Sequence, residues 1–558
     1  MLKLVECVPN FSEGRNQEVI DAITKEISDT ENVKLLDVDP GADTNRTVVT
    51  FIGSPEGVKE AAFRTIKKAS ELIDMREHQG AHARMGATDV CPFVPVSGVT
   101  MADCVEIAKQ VGQRVANELE IPIYLYEEAA TRPERQSLAN IRSGEYEGLT
   151  EKLTDPEWKP DFGEAKFNPR SGATVIGARE FLIAYNVNLN TKDRKLANDI
   201  ALTIREAGRN IRDANGKFVR DENGVPIKEP GLLKATRAVG WYIDEYGQAQ
   251  VSINLINYKI TPPHFAFDTI SEEAEKRGLR VTGSELVGLI PLQAILDAGR
   301  HYLLKQGKSP GVPEEELIEI AVVSMGMRDL TEFDPRKKII EYQVRELKGP
   351  LVKMDLRDFA NELSIDSPAP GGGSVSALAG ALGSALTSMV ANLTVGKKVY
   401  KENWDEMKDV AVAAQGLKDE LLNSIDRDTD AFNNLINAFR LPQKTEEQIA
   451  AKDNAIEEAT KQACLVPLDV MKNSHETLKL ARIVAEKGNE NAASDAGVAA
   501  LMARSAIEGA GLNVKINLSG IKDSEFVKKM KAEVDNMISD ANELQSKILE
   551  IVTSKIET

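Results

Sequence analysis

Two histidines, His78 and His82, lie in one short segment that also carries charged side chains and glycines. The segment Arg76–Pro95 reads REHQGAHARMGATDVCPFVP and holds two of the chain's five histidines. Histidine can take and return a proton near neutral pH without special tuning. A glycine-broken loop of this composition, leading into an apolar strand, is typical of a catalytic position. We therefore expect one of the two histidines to be a general base; the alternative is that both are satisfied by backbone groups.

A second group of ionisable residues lies in the heptapeptide DRDTDAF. Asp428 follows Ile425 by three residues and precedes Phe432 by four, so on a helix it lies on the apolar stripe. Asp426 and Asp430 lie on the neighbouring polar face. Burial raises the pKa of a carboxyl group, which makes Asp428 a candidate proton donor. If the helix is rotated instead, all three carboxylates are solvated.

The stretch PGGGS at Pro370–Ser374 precedes a run of small residues that is typical of a tightly packed helix. Glycines just before a helix let backbone N–H groups approach an anion or a polar ligand. Gly372, Gly373 and Ser374 are therefore ligand-binding candidates. Since no GKS or GKT follows, the stretch is not a phosphate loop, and a glycine hinge before a packing helix is the alternative.

The bulk composition excludes some classes of protein. A net charge of −18 and a pI of about 5.1 argue against nucleic-acid binding, although a local arginine cluster can still hold carboxylates. The four cysteines form neither a CxxC pair nor a metal-ligand spacing, so we expect a reducing compartment and no metal. The N-terminus resembles no signal peptide, which favours the cytoplasm. The uncharged stretch 369–396 is expected to be a buried helix rather than a membrane span.

Strand and helix patterns alternate in two successive βαββαβ-like orders before the helical half. We predict one α/β subdomain at residues 1–178 and another at 179–326, with a site in the crevice between them. The charged segment 327–350 is expected to be a linker. Residues 351–558 are expected to form an all-α domain, because strand patterns stop there. Apolar residues from Phe526 to Ile551 step by three and four, which indicates a helix bundle or a subunit interface.

Long motifs from both halves resemble one family, in the same order. Motifs similar to formimidoyltransferase domains are VPNFSEGR at 8–15, NRTVVTFIG at 45–53, HARMGATDVCPF at 82–93 and GATVIGARE at 172–180. Motifs similar to cyclodeaminases are PAPGGGSVSAL at 368–378, DRDTDAF at 426–432 and RLPQ at 440–443. The chain therefore resembles the bifunctional formimidoyltransferase-cyclodeaminase family over essentially its whole length.

This resemblance implies two folate reactions. In the first, a transferase step, the N5 amine of tetrahydrofolate takes the formimino group of N-formiminoglutamate and glutamate leaves. In the second, an ammonia-lyase step, 5-formiminotetrahydrofolate cyclises to 5,10-methenyltetrahydrofolate and ammonia is lost. The resemblance also implies a role in histidine degradation, a polyglutamylated tetrahydrofolate cosubstrate without a metal, and dimers assembled into a larger ring.

The resemblance also implies site residues. The transferase histidine falls on His82, and the cyclodeaminase acid falls in DRDTDAF, where the stripe argument selects Asp428. Arg46 and Arg84 are candidates to hold the glutamate carboxylates, and Asp39 is a candidate to orient the imidazole. The residues that fall on the family's two folate-binding stretches are Gly163, Glu164, Ala165, Lys166, Phe167, Asn168, Pro169, Arg170, Ser171 and Gly172, and then Asn454, Ala455, Ile456, Glu457, Glu458 and Ala459.

Three alternatives remain open at this point. The formimino donor could be formiminoglycine rather than formiminoglutamate. The helical domain could act mainly as a methenyltetrahydrofolate cyclohydrolase. The chain could also be a non-catalytic folate-binding scaffold, against which the intact His82 and Asp428 argue.

Overall fold

The computed structural model describes residues 3–80, 82–244, 246–344, 349–366 and 369–557. Pro368 of the second-half motif and residues 345–348 of the expected linker lie outside these ranges. The chain divides into two compact units, the first formed by Met1–Ile295 with Met325–Glu346 and the second by Leu296–Ser324 with Leu347–Thr558. The first unit is α/β and the second is helical, so the predicted fold class is confirmed.

A mixed sheet of seven strands forms the core of the first unit. Its strands are β1 (Leu4–Cys7), β2 (Asn10–Phe11), β3 (Val33–Gly41), β4 (Arg46–Gly53), β5 (Thr88–Ser97), β6 (Ile123–Glu127) and β7 (Thr174–Ala178). The spatial order is β3, β4, then β1 and β2 in line, then β5, β7 and β6. The last three strands run parallel, and the other pairs are antiparallel. The sheet thus brings β2, β4 and the start of β5 side by side.

Amphipathic helices cover this sheet. They are α1 (Gln17–Ser28), α2 (Pro55–Leu72) and α3 (Met101–Leu119). Asn16, Ser54 and Thr100 accept backbone N–H bonds at the three N-termini, so each helix begins at a capping side chain. Their apolar faces bury Ile23, Ile66 and Val115 against the sheet.

The polar connector between β6 and β7 contains two short helices, α4 (Leu138–Arg142) and α5 (Leu149–Lys152). A buried ion pair fixes it. Arg135, with 1% of its side chain exposed, donates to Asp161 at 2.6 Å and to two backbone carbonyls. Asp161 also accepts the N–H of Leu125 in β6 at 2.8 Å. The connector is therefore anchored to the edge strand just before Gly163.

A second, four-stranded antiparallel sheet has the order β11, β12, β8, β13. The elements from 183 to 287 are β8 (Ile183–Leu189), α6 (Arg194–Ile204), β9 (Arg209–Asn210), β10 (Lys228–Glu229), β11 (Thr236–Ile243), β12 (Gln248–Leu255), α7 (Pro263–Glu275) and β13 (Val281–Val287). Apart from the paired short strands β9 and β10, this is the predicted βαββαβ order.

The region that follows differs from the expected subdomain and linker. It contains α8 (Leu292–Lys305), α9 (Glu314–Ser324), α10 (Pro335–Lys338) and α11 (Ile340–Val344). Residues 296–324 group with the helical unit, where the Gly311 carbonyl accepts the side-chain N–H of Asn392 at 2.7 Å. Residues 325–346 group with the α/β unit. No local pattern marks these alternations, because they depend on contacts between residues far apart in sequence.

Long helices form the rest of the second unit: α12 (Leu356–Ser364), α13 (Gly372–Thr394), α14 (Trp404–Phe439), α15 (Glu446–Lys487), α16 (Ala493–Leu518) and α17 (Ser524–Ile556). The apolar residues from Phe526 to Ile551 that step by three and four form a seam along α17. This bundle buries four of them, Met530, Val534, Ala541 and Ile548. These residues of α17 therefore pack within the bundle of one chain, as the first alternative predicts. Within the described ranges, α13 alone is long and apolar enough to cross a membrane, and 61% of its most apolar window is buried.

Candidate functional site

His82 lies beside the first residue of β4 and is half-buried. Nη1 of Arg46, the first residue of β4, lies 3.0 Å from His82 Nε2 and donates to Asn10 Oδ1 in β2 at 2.9 Å. Because a guanidinium only donates, Nε2 must be the acceptor and the neutral ring carries its proton on Nδ1. This Nδ1 is buried and has no hydrogen-bond partner among the residues that the structure describes. The imidazole is thus held at Nε2 by Arg46, and its other nitrogen is enclosed by the protein.

Burial lowers the pKa of His82, and the positive charges of Arg46 and Arg142 lower it further. Arg142, at the end of α4, forms an ion pair with Asp89, whose side chain is fully buried. Asp89 also accepts the backbone N–H of Met85 at 3.0 Å. His82 is therefore neutral near pH 7, which is the form that a general base requires. Sequence reasoning missed Arg142, because it lies in the connector far from the histidine motif.

His78 is satisfied structurally. Its Nδ1 accepts from Arg84 Nε at 3.2 Å, so Nε2 carries the proton and donates to the Asn45 carbonyl at 2.9 Å. Arg84 also binds Glu147 at 2.6 Å and Glu145 at 3.1 Å. The open pocket of about 450 Å³ over Arg84 is lined by both glutamates. Arg84 is thus already neutralised, which makes it a poor carboxylate site, whereas Arg46 keeps that role available.

Asp39 lies in β3 opposite Val48 of β4 and is exposed. Across the described part of the chain, the hydrogen bond to His82 comes from Arg46 and none comes from Asp39. The negative charge of Asp39 instead raises the pKa of Arg46, whose net shift, dominated by burial, is downward. The structure therefore places Asp39 near the arginine rather than the imidazole.

The expected folate stretch of the first half adjoins the histidine loop. Ala87 N–H donates to the Ser171 carbonyl at 2.9 Å, and Ala173 N–H donates to the Met85 carbonyl at 3.1 Å. Gly172 has φ +66°, and a side chain there would collide with the Met85 carbonyl. The stretch from Gly163 to Lys166 is exposed, whereas its last two residues are buried. One end is thus fixed to the loop after His82 and the other faces solvent.

Buried amides form a polar face on the second sheet that sequence reasoning missed. Gln250 donates to Asn188 at 2.7 Å and accepts from Trp241 Nε1 at 3.0 Å, while Asn186 donates to Glu285 at 3.1 Å. Gly240 packs on α6, and successive residues of a strand point to opposite faces of the sheet. Trp241, and the network with it, therefore lies on the face turned away from α6. The signal was present in YNVNLN, where three asparagines alternate with apolar residues at strand period.

In the helical unit, Asp428 of α14 lies against the first turn of α13. The Ser374 hydroxyl donates to the Ile425 carbonyl at 2.9 Å and lies 3.4 Å from Asp428 Oδ2. Burial raises the pKa of Asp428, while hydrogen bonds from the hydroxyl and the backbone N–H of Ser374 act in the opposite direction and do not cancel it. The acid is therefore held on a helix N-terminus and retains its proton to higher pH than an exposed aspartate.

The neighbouring aspartates differ from the sequence interpretation. Asp430 is exposed, as predicted. Asp426 is not simply solvated, because its carboxylate accepts the N–H groups of Leu351 at 3.1 Å and Val352 at 3.2 Å. It fastens the chain that enters the helical unit, and its role is structural.

The second expected folate stretch lies in α15. Glu457 accepts the backbone N–H groups of Lys522 at 3.1 Å and Asp523 at 3.2 Å, so it holds the turn before α17. Asn454 and Glu458 are exposed, and Ala455, Ile456 and Ala459 are half-buried. Among the described residues, the structure shows no hydrogen bond between this stretch and Asp428. Gly372, Gly373 and Ser374, in contrast, lie in the helix turn that contacts the acid.

Gly373→Ala is expected to lower the cyclodeaminase activity that the motif resemblance implies by on the order of 10²-fold, because a methyl group at 373 would overlap the Asp428 carboxylate and displace it. Gly416→Ala in α14 is the matched control, since a methyl group there meets open space. Rates with supplied 5-formiminotetrahydrofolate, beside thermal melts, test this. Equal rates in the two variants would contradict it.

Three family models match the chain. The N-terminal subdomain of the formiminotransferase domain matches residues 4–179, the formiminotransferase domain matches 184–345, and the formiminotransferase-cyclodeaminase model matches 355–536. A formimidoyltransferase-cyclodeaminase of Dictyostelium discoideum is 45% identical over 561 residues, covering 100% of both chains.

Relatives that match one half are also known. A glutamate formimidoyltransferase of Streptococcus pyogenes is 45% identical and covers 54% of this chain and 94% of its own. A methenyltetrahydrofolate cyclohydrolase of Methylorubrum extorquens is 41% identical and covers 36% of this chain and 97% of its own. Each half is thus similar to a protein that exists separately.

Proposed function

The chain belongs to the formimidoyltransferase-cyclodeaminase family, and from that premise we propose which residues carry its two folate-dependent activities. His82 is the general base of the transfer, and Asp428 is the acid of the cyclodeamination. The observation that carries the first assignment is the neutral, half-buried His82 beside Arg46. The contact of Asp428 with the first turn of α13 supports the second.

In the transfer, the N5 amine of tetrahydrofolate attacks the amidinium carbon of formiminoglutamate. His82 removes the N5 proton and returns it to the amino group of glutamate as the old carbon–nitrogen bond breaks. The carbon therefore changes one nitrogen partner for another without oxidation or reduction. Donor carboxylates pair with Arg46, and the exposed end of the 163–172 stretch meets the folate.

In the cyclodeamination, N10 of the same folate attacks the formimino carbon and the ring closes. The N10 proton passes to the former imine nitrogen, and Asp428 adds a second proton to it, so that the carbon–nitrogen bond breaks and the nitrogen leaves as ammonia. Since nucleophile and electrophile belong to one molecule, positioning supplies much of the rate. The remaining task for the protein is proton delivery, which suits a carboxyl group whose pKa is raised by burial.

Product analysis tests the combined assignment. With tetrahydrofolate and formiminoglutamate, we expect 5,10-methenyltetrahydrofolate, glutamate and ammonia in equal amounts. Formiminoglycine at the same concentration is expected to be a poorer donor, because it lacks the second carboxylate. A preference for formiminoglycine would overturn formiminoglutamate as the proposed donor and, with it, the proposed role of the protein in histidine degradation.

A cyclohydrolase is the second candidate for the helical half, favoured by the 41% identity to the Methylorubrum protein. Supplying 5,10-methenyltetrahydrofolate alone discriminates between the two reactions. If the enzyme hydrolyses 5,10-methenyltetrahydrofolate at a higher rate than it forms this compound from 5-formiminotetrahydrofolate, the result would favour the cyclohydrolase. Slower hydrolysis would favour the cyclodeaminase as the main activity.

We propose that the cosubstrate is polyglutamylated tetrahydrofolate, that the reactions need no metal, and that the protein works in the cytoplasm. The described residues contain no cluster of three or more His, Cys, Asp or Glu side chains suited to a metal, and the four cysteines are free and buried, which fits a reducing compartment. Comparing mono- and polyglutamylated folates, with and without a chelator, tests the first two points. Loss of activity on chelation would overturn the proposal that the reactions need no metal.

Self-association, proposed as dimers that build a larger ring, is supported by apolar side chains left exposed on α13 and α16 rather than by the seam of α17. These two helices pack together, and their exposed apolar residues are Val375, Leu382, Met389, Leu393, Val498, Leu501, Leu512 and Ile516. Exposed apolar side chains grouped on two packed helices favour a protein interface.

Leu382→Glu is expected to lower the assembled mass in sedimentation velocity, because it places a charge in this surface. Leu356→Glu is the matched control, since Leu356 is 85% exposed on α12. A wild-type monomer, or unchanged assembly of the Leu382 variant, would contradict the proposed interface.

A further inference from the structure

Arg46 holds a defined position over the general base. Its Nη1 lies between Asn10 Oδ1 at 2.9 Å and His82 Nε2 at 3.0 Å. Asn10 is itself fixed, because it belongs to β2 and its amide donates to the Val8 carbonyl at 3.0 Å. The contact with the imidazole is therefore supported by the strand rather than by a free side chain.

This contact makes the base unavailable. The Nε2 lone pair is engaged by the arginine N–H, and Nδ1 carries the proton and is buried. Neither nitrogen of His82 can accept a proton in this arrangement. The base can act at Nε2 only after the guanidinium has moved.

Arg46 is also poised to pair with an anion. No carboxylate lies within ion-pair distance of it in the described part of the chain. Asp89 is paired with Arg142, and Asp39 acts on Arg46 only through its charge. Arg46 as a whole is half-buried. A charged carboxylate is a stronger partner for it than a neutral imidazole nitrogen.

We propose that Arg46 is a latch that couples recognition of the donor to release of the base. A carboxylate of the formimino donor draws the guanidinium away from His82 Nε2, and the freed lone pair then takes the N5 proton. A donor without a carboxylate leaves the latch closed. This inference rests on the proposed role of His82, and it makes Arg46 a specificity-determining residue rather than only a binding residue.

Formamidine, an amidine donor without a carboxylate, is the probe. Arg46→Met is expected to lower kcat/KM for formiminoglutamate by roughly 10–100-fold, because a charged hydrogen-bonding partner is lost. The same variant is expected to transfer from formamidine at least about tenfold faster than wild type, since the base is no longer capped. Arg114→Met is the matched control, because Arg114 lies on α3 and binds Glu60 and Glu118.

The pH profile gives a second readout that simple loss of binding would not move. The charged groups that face His82 are Arg46 from β4, Arg142 from α4 and Asp89 from β5. Removing the positive charge of Arg46 raises the pKa of His82, so the acid limb of formamidine transfer is expected to move to higher pH. An unmoved limb would count against the latch.

The failures are distinguishable. Formamidine transfer by Arg46→Met that is equal to or below wild type would overturn the latch while leaving the His82 assignment intact. A formamidine gain that survives in the double variant Arg46→Met/His82→Ala would overturn His82 as the base. Unchanged cyclodeaminase rates and thermal melts would show that the variants are folded.

Discussion

His82→Ala is expected to slow formimino transfer by on the order of 10²–10⁴-fold, the usual cost of losing a general base. The methyl group cannot take the N5 proton, and Arg46 loses the imidazole nitrogen that it contacts. Cyclodeamination of supplied 5-formiminotetrahydrofolate should continue, because Asp428 lies in the other unit. Steady-state rates of both half-reactions measure the difference.

His78→Gln is the control for this prediction, because His78 bonds only to Asn45 and Arg84 in the described site. Its effect should be small, since an amide keeps a donor and an acceptor. If transfer by His82→Ala matches wild type, or if His78→Gln is the inactive variant, the assignment of the base is wrong.

The pH dependence of transfer follows from the same site. A base works only when unprotonated, and burial with two neighbouring arginines lowers the pKa of His82. Transfer should therefore persist to lower pH than an ordinary imidazole allows, and fall only as pH drops below that lowered pKa. An acid limb at or above the ordinary histidine value of about 6.5 would contradict this.

Asp428→Asn is expected to reduce cyclodeamination by on the order of 10²–10⁴-fold while transfer continues. The amide is nearly isosteric and can still bond to Ser374, but it cannot deliver an acidic proton. Accumulation of 5-formiminotetrahydrofolate during the coupled assay is the diagnostic result. Because the active form is protonated, the wild-type rate should also fall as pH rises through the raised pKa of Asp428.

Two neighbouring substitutions separate chemistry from stability. Asp430→Asn should leave both activities and stability nearly unchanged, because Asp430 is exposed. Asp426→Asn should cost about 1 kcal/mol of unfolding free energy. The two carboxylate oxygens each accept a backbone N–H group, and the substitution replaces one of these oxygens by an NH2 group, which only donates. If either variant accumulates 5-formiminotetrahydrofolate as Asp428→Asn does, the acid has been misassigned.

Local spacing was sufficient to place Asp428, because the three- and four-residue steps to Ile425 and Phe432 determine which face of a helix it occupies. It was not sufficient for Asp426, whose partner N–H group lies 75 residues away. The same limit applies to the arginines. Arg84 and Arg142 are chemically alike. Arg142 lies 53 residues after Asp89 in the sequence, and only the path of the connector brings it to Asp89 and close to His82.

The packing of Asp428 over Gly373 also bears on how such chains diverge. The three atoms nearest to a methyl group at 373 all belong to the Asp428 carboxyl group, so the two positions are coupled, and a small residue at 428 would remove these contacts. A descendant that had lost the lyase reaction would be free to drift at 373 while keeping its bundle. Substitution at this glycine would then mark, in sequence alone, members of the lineage that retain the helical fold without its chemistry.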